Sequence, residues 1–230
     1  MKYLIILIAT LSWGQSFGQQ TSYLEWQEEA KTNIRLVPEY GNVQKTKEQI
    51  ADDNELIKTS LKIDTTHRKA SDHFVRLGFT YLSRGDLRTA MYRFNQAWLL
   101  DPKNENVYWG FGAIYGMFND YPTAIVEYDK GLVLNPNGSV ILTDKATLYV
   151  VGFQHDPNHD QNKLNTAIDL LKKSYSINAN DQNTVFKLSV CFFLNKDCSN
   201  AWKFYDECEK LGGRPITPEF TDALKRMCNK

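Results

Sequence analysis

A spelling that returns every thirty-four residues constrains this chain more than any other feature. Phe74-x-x-Leu77-Gly78-x-x-Tyr81 is followed by Ala90-x-x-x-Phe94 and by Asp101-Pro102. The same order recurs as Tyr108-x-x-Phe111-Gly112-x-x-Tyr115, Ala124-x-x-x-Tyr128 and Asn135-Pro136. Apolar residues three, four and seven apart describe one face of a helix, and a proline after each second run stops it. Gly78 and Gly112 let two helices approach closely, Ala90 and Ala124 leave the facing gap, and the aromatics fill the space between. A helical hairpin of this kind cannot bury its apolar face alone, so it must stack on its neighbours. No strand-like alternation competes beyond a few residues.

This period and pattern resemble the tetratricopeptide repeat. The resemblance covers residues 71–213 and is most specific in the first two repeats. It implies an all-α, right-handed superhelix (solenoid) of about four stacked antiparallel helix pairs, with an N-terminal helical cap and a C-terminal capping helix. The stretch from Met91 to Ile125 is also similar to small exported bacterial proteins of that family. Repeats one and two take 71–104 and 105–138, with helix starts expected at Ser71, Asp86 and Asp120. Repeat three takes 139–181 and is displaced: the Ala due at 158 appears as Ala167. An insertion of nine residues at about 152–163, in the turn between its helices, accounts for the slip. Repeat four, 182–215, restores the phase at Ala201, and 216–230 reads as the closing helix.

Residues 19–70 fall outside the period. A short helix within Ser22 to Leu36, a turn at Gly41-Asn42 and an amphipathic helix from Lys45 to Leu61 fit either a helical cap or an arm. Before them, Lys2 begins a short basic start, Tyr3 to Leu11 form an apolar run, and Ser16-Phe17-Gly18 offers small residues for cleavage. That order is the order of an export signal over 1–18. The run is shorter than the ~18 apolar residues of a membrane span, although an uncleaved anchor helix is the rival reading. The expectation is an exported protein, periplasmic or secreted, with no membrane insertion after cleavage.

Lys plus Arg and Asp plus Glu balance at 27 each. No overall field therefore points to nucleic acid or an anionic membrane, and the basic residues are interspersed with acids. Catalysis finds no nucleophile–base pattern around the four histidines, so no catalytic residue and no cofactor are expected. The one cluster of ligand-type residues is His155-Asp156-Pro157-Asn158-His159-Asp160-Gln161-Asn162 in the insertion. Asp156-x-Asn158-x-Asp160 opens like a calcium loop, but Gln161 stands where such a loop needs Gly, and Ala167 where it needs Glu. His155 and His159 are four apart with Pro157 between them, which opposes a helix presenting both to zinc. The expectation is a polar surface loop and no metal site; a metal-dependent or enzymatic role of the insertion is the rival.

Two features carry the functional expectations. Cys191, Cys198, Cys208 and Cys228 all lie near the C-terminus. Export permits disulfides, and four cysteines allow three pairings. Repeat geometry favours Cys198 with Cys228, because the start of one helix should meet the end of the helix antiparallel to it; four free thiols are the alternative. The second feature is a stripe one residue beyond the packing positions of each first helix: Val75, Phe79, Leu82; Trp109, Ala113, Gly116; Thr143, Thr147, Val150; and Phe186, Val190, Phe193. It contains no charge and should face the concave side of a superhelix. Grooves of this family that clamp a terminal carboxylate use Lys, Arg and Asn there. Arg76 and Lys187 only flank the stripe, so the expected partner is an apolar or aromatic segment of a protein or peptide. The N-terminal helices or neighbouring repeats could instead cover it as core. A structural subunit held in an envelope complex through its convex face or N-terminal arm is the competing binding role.

Overall fold

The computed structural model describes residues 22–229, so the export signal expected at 1–18 lies outside the described residues. The chain divides into two compact units at Pro136–Asn137.

In the first unit, α1 (Tyr23–Ala30) starts at a capping box in which Ser22 and Glu25 satisfy each other's backbone N–H groups. Two tight turns follow at Ile34–Leu36 and Pro38–Asn42. Helix α2 (Lys47–Asp64) is capped reciprocally by Thr46 and Gln49. Helices α3 (His67–Ser83) and α4 (Leu87–Leu100) pack side by side, as do α5 (Glu105–Met117) and α6 (Tyr121–Leu134). Asp86 and Asp120 cap α4 and α6 as expected from their positions. The expected start at Ser71 is wrong. Helix α3 begins four residues earlier, at His67, behind Thr66, which accepts from the Lys69 N–H. Ser71 is fully buried instead, donating to the Ala97 carbonyl at 2.8 Å and accepting from Asn104 Nδ2 at 2.9 Å.

The core of this unit is organised around Phe94. A Cβ placed on Gly78 or on Gly110 would stand 2.4 Å from its ring, so the ring lies where two helices lack side chains. Gly112 leaves the same opening for Tyr128. Residues 23–40 lie along one face of α4. Glu29 pairs with Arg88 at 2.7 Å, Asn33 donates to the Tyr92 hydroxyl at 3.0 Å, and the Arg35 guanidinium lies 4.0 Å over the Tyr92 ring. Trp26 packs on Phe118, and the Tyr23 hydroxyl donates to Asp120. Buried Asn95 closes the segment down: its Nδ2 donates to the Arg35 and Val37 carbonyls, and its Oδ1 accepts from the Tyr40 N–H.

The second unit holds α7 (Ser139–His155) beside α8 (Gln161–Ile177) and α9 (Gln182–Leu194) beside α10 (Cys198–Lys210), followed by α11 (Pro218–Met227). The nine inserted residues are mostly helix rather than an extended turn. Helix α7 has seventeen residues against thirteen in α5, and α8 seventeen against fourteen in α6. The connection at 156–160 is only two residues longer than that at 118–120. Val150, Phe153 and Leu164 explain this: all three are buried, so the added turns gain apolar contact instead of extending into water. Between α7, α8 and α9, buried hydroxyls of Thr143, Ser174 and Thr184 bond one another at 2.6–3.2 Å, and Ser174 also reaches the Ser139 carbonyl. No described helix is long and apolar enough to cross a membrane.

Candidate interaction surfaces

In the first unit the stripe stands on α3 and α5. Val75 is buried, whereas Phe79, Leu82, Trp109, Ala113 and Gly116 keep part of their surface. Phe79 packs on Phe94 at 5.1 Å and on Trp109 at 4.0 Å between ring centroids, so the two repeats meet through this aromatic pair. The ties of residues 23–40 go to α4, to Phe118 and Asp120, and to Lys130 of α6. Residues 23–40 thus occupy the second-helix face; α2 lies against both α3 and α4, meeting α3 through the Asp64–His73 pair, and Phe79 and Trp109 keep part of their surface. That placement of residues 23–40 has a physical cause: Tyr92, Asn95 and Trp98 lie off the packing row of Ala90, Phe94 and Ala97, where Asn95 bonds backbone groups of Arg35, Val37 and Tyr40, Tyr92 accepts from the Asn33 side chain, and Trp98 meets the Tyr40 ring.

The second unit departs from the expectation. Phe186, Val190 and Phe193 do not line an open groove; each is buried. Their cover is Phe220 of α11, 5.2 Å from the Phe186 ring and 5.6 Å from that of Phe193. Thr143 and Val150 of α7 are likewise core, and Thr147 turns its hydroxyl back to the Thr143 carbonyl. An uncharged stripe at helical spacing says which face is apolar, but the closing helix decides whether it is wet.

The insertion loop uses its carboxylates locally. Asp156 accepts from Lys163 at 2.7 Å and from the Asn158 N–H, and these bonds hold its carboxyl below the usual range. Asp160 caps α8 by accepting from the Asn162 N–H. His159 rests on Phe153, with ring centroids 5.3 Å apart. Among the described residues no group of three or more His, Cys, Asp or Glu side chains is placed to hold a metal ion.

Cys198, the first residue of α10, is joined to Cys228 at the end of α11, with Cα atoms 5.2 Å apart. Cys191 and Cys208 are free and buried. Burial pushes their thiols up to about 12 and about 11, which keeps them protonated and unreactive.

Glu127 of α6 is 5% exposed; Oε1 accepts from Lys130 at 3.0 Å while Oε2 has no hydrogen-bond partner. Lys130 is shared with Glu39 at 2.8 Å. Desolvation raises the Glu127 carboxyl above its ordinary value; Lys130 opposes this and Glu39 reinforces it, and Tyr108 and Tyr115 are the other titratable groups nearby. A carboxyl with a raised folded pKa contributes stability that is present in acid and lost as pH rises through that value. Glu127→Gln should therefore improve in stability relative to the parent as pH is raised from the acid side to neutrality. Urea unfolding of both proteins across that range checks it; a difference independent of pH would mean that Glu127 is ionised to the same extent folded and unfolded.

The comparison that decides the fold is structural. No protein-family model matches the chain, and no curated protein does. Among solved structures, the thermophilic tetratricopeptide repeat protein TTC0263 of Thermus thermophilus superposes with a TM-score of 0.57 at 16% identity, over 68% of this chain and 80% of its own. The fold is the tetratricopeptide-repeat fold. The protein MamA agrees, with a TM-score of 0.50 at 17% identity over 75% of this chain and 98% of its own. The all-α helix pairs anticipated from the thirty-four-residue period are thus present. Tetratricopeptide folds present extended surfaces for other proteins, and the likeness at these identities carries the fold alone.

Proposed function

We propose that this chain is an exported, non-catalytic scaffold that binds an apolar or aromatic segment of a partner protein on the first-helix face of its first unit. The observation that carries this reading is the Phe79–Trp109 pair. Two aromatic rings at 4.0 Å stand part-exposed on a face that residues 23–40 do not cover. Aromatic anchors of this kind dominate binding energy because they bury much area with little loss of side-chain freedom. Charged residues lie beside the pair rather than within it, as with Arg76, which favours an apolar segment over a carboxylate terminus.

Crosslinking in the native cell identifies the partner, and substitution then tests the site. With Phe79 and Trp109 both replaced by Ala, and a cooperative melt to show that the fold survives, partner capture should fall at least about ten-fold, the equivalent of ~1.4 kcal/mol. Undiminished capture by the folded double variant moves the binding surface elsewhere. Export is tested separately: the mature protein from its host should have lost the segment 1–18 by mass, and an exported pool retaining Met1 would refute it.

A further inference from the structure

The apolar face of α9 is finished as a binding surface and already has an occupant. Helix α11 lays Phe220, Ala223 and Leu224, all buried, along the second unit's core, and Phe220 meets Phe186 and Phe193. These positions are three and four apart, the pattern by which an amphipathic helix docks in a groove. Yet α11 has ten residues, shorter than the roughly 12–15 at which an isolated helix becomes stable in water. It hangs from Gly212 and Gly213, at φ 118° and 64°, which form a pivot that few other residues could adopt. At its far end it is held by the Cys198–Cys228 bond and by Trp202 Nε1 donating to the Cys228 carbonyl at 2.6 Å, and in its first turn by the Tyr205–Thr221 hydroxyl pair at 2.9 Å.

We propose that the α9 face is a helix-binding site closed in cis by α11, that the Cys198–Cys228 disulfide is the latch, and that reduction opens the site to an amphipathic helix with the spacing of α11 itself. A helix tethered at both ends competes at high effective concentration with any free helix; cutting one tether lowers that concentration without altering the face. The accessible end of the latch is Cys198, part-exposed at the first turn of α10, whereas Cys228 is buried. A dithiol reductant attacks there. One of its thiolates bonds to the Cys198 sulfur and Cys228 leaves as a thiolate that takes up a proton. Its second thiolate then displaces Cys198, so two electrons pass to the cysteine pair and the reductant becomes a disulfide. The remaining thiols do not divert the exchange, because Cys191 and Cys208 are fully buried. This inference concerns the second unit only and stands whether or not the Phe79–Trp109 surface binds a partner.

The test uses the full chain and a synthetic peptide of residues 217–229 carrying Cys228→Ser. Peptide mapping without reductant first establishes the 198–228 link. The peptide should bind the dithiothreitol-reduced protein at least ten-fold more tightly than the oxidised one, and reoxidation should reverse the gain. Amide exchange over 182–194 and 218–227 should accelerate at least ten-fold on reduction while 139–177 stays protected. Both results are required. A reduced protein that keeps α11 protected, or that opens without taking up the peptide, overturns the proposal, as does mapping that finds the link absent. The double variant C198S/C228S should behave as the reduced protein does; should it fail to fold, redox cycling of the parent chain still decides the question.

Discussion

Replacing Phe94 with alanine should cost the first unit about 3–5 kcal/mol, at the upper end for a single core truncation. The ring is wholly buried, and its neighbours cannot move in to replace it. Gly78 and Gly110 flank it without side chains, while Phe79 and Phe111 stand at 5.1 and 6.3 Å between centroids and are held by their own helices. A cavity bounded by glycines has little to collapse with, so the cavity cost adds almost fully to the lost transfer energy. Equilibrium denaturant unfolding should show a lowered midpoint with an unchanged slope, the sign of lost stability without a change in the surface exposed. A loss under about 1 kcal/mol would mean that the glycines do not frame the ring. Gly78→Ala attacks the same contact from the other side and should be destabilising through overpacking, because the added methyl falls 2.4 Å from a ring atom.

Phe94 also shows why the fold was legible. A helical hairpin that must stack needs large, small and aromatic residues at fixed places, and that demand is written as a period. Polar residues inside the helices carry no such period. Ser71 read as a cap because serine commonly caps helices, but its hydroxyl is used between helices, with Ala97 and Asn104. Thr143 read only as part of the uncharged stripe and Ser174 and Thr184 stood apart in the sequence; they matter together because three helices bring them into contact. The insertion read as a loop from its turn-forming letters, and only Asp156 to Asp160 behave so, since the flanking apolar residues extend α7 and α8. As for the candidate surface, helical spacing fixes which residues share a face. Which neighbour covers that face depends on contacts distant in sequence, so Phe79 and Trp109 stay at the surface while Phe186 and Phe193 lie under Phe220.

Asn95 is the residue whose role was least visible and whose loss should be felt most locally. Asn95→Leu should cost about 1–3 kcal/mol, chiefly from the Arg35 carbonyl, because the Tyr40 N–H and the Val37 carbonyl lose Asn95 but keep their bond to each other at 3.1 Å. The carbonyls of Arg35 and Val37 each accept from Nδ2 at 2.9 Å, and the Tyr40 N–H donates to Oδ1 at 3.2 Å. Left buried and unpaired, the Arg35 carbonyl would cost about 1–3 kcal/mol. That cost is capped because the segment has another way out, which is to peel from α4 and bond to water. Backbone strain pushes the same way: Glu39 and Tyr40 hold φ of 58° and 55°, a left-handed conformation that costs roughly 1–2 kcal/mol per residue. Trp26, buried at the other end of the segment, resists by keeping its own anchor. The outcome should be local opening rather than global unfolding. Amide exchange should therefore accelerate over 34–42 while α3 to α6 keep their protection, and the thermal midpoint should fall only modestly. Asn95→Asp, which keeps the acceptor for Tyr40 but loses both donated bonds, should open the same residues. Equal loss of protection across all four helices would instead make Asn95 a core packing residue rather than the clamp of the N-terminal segment.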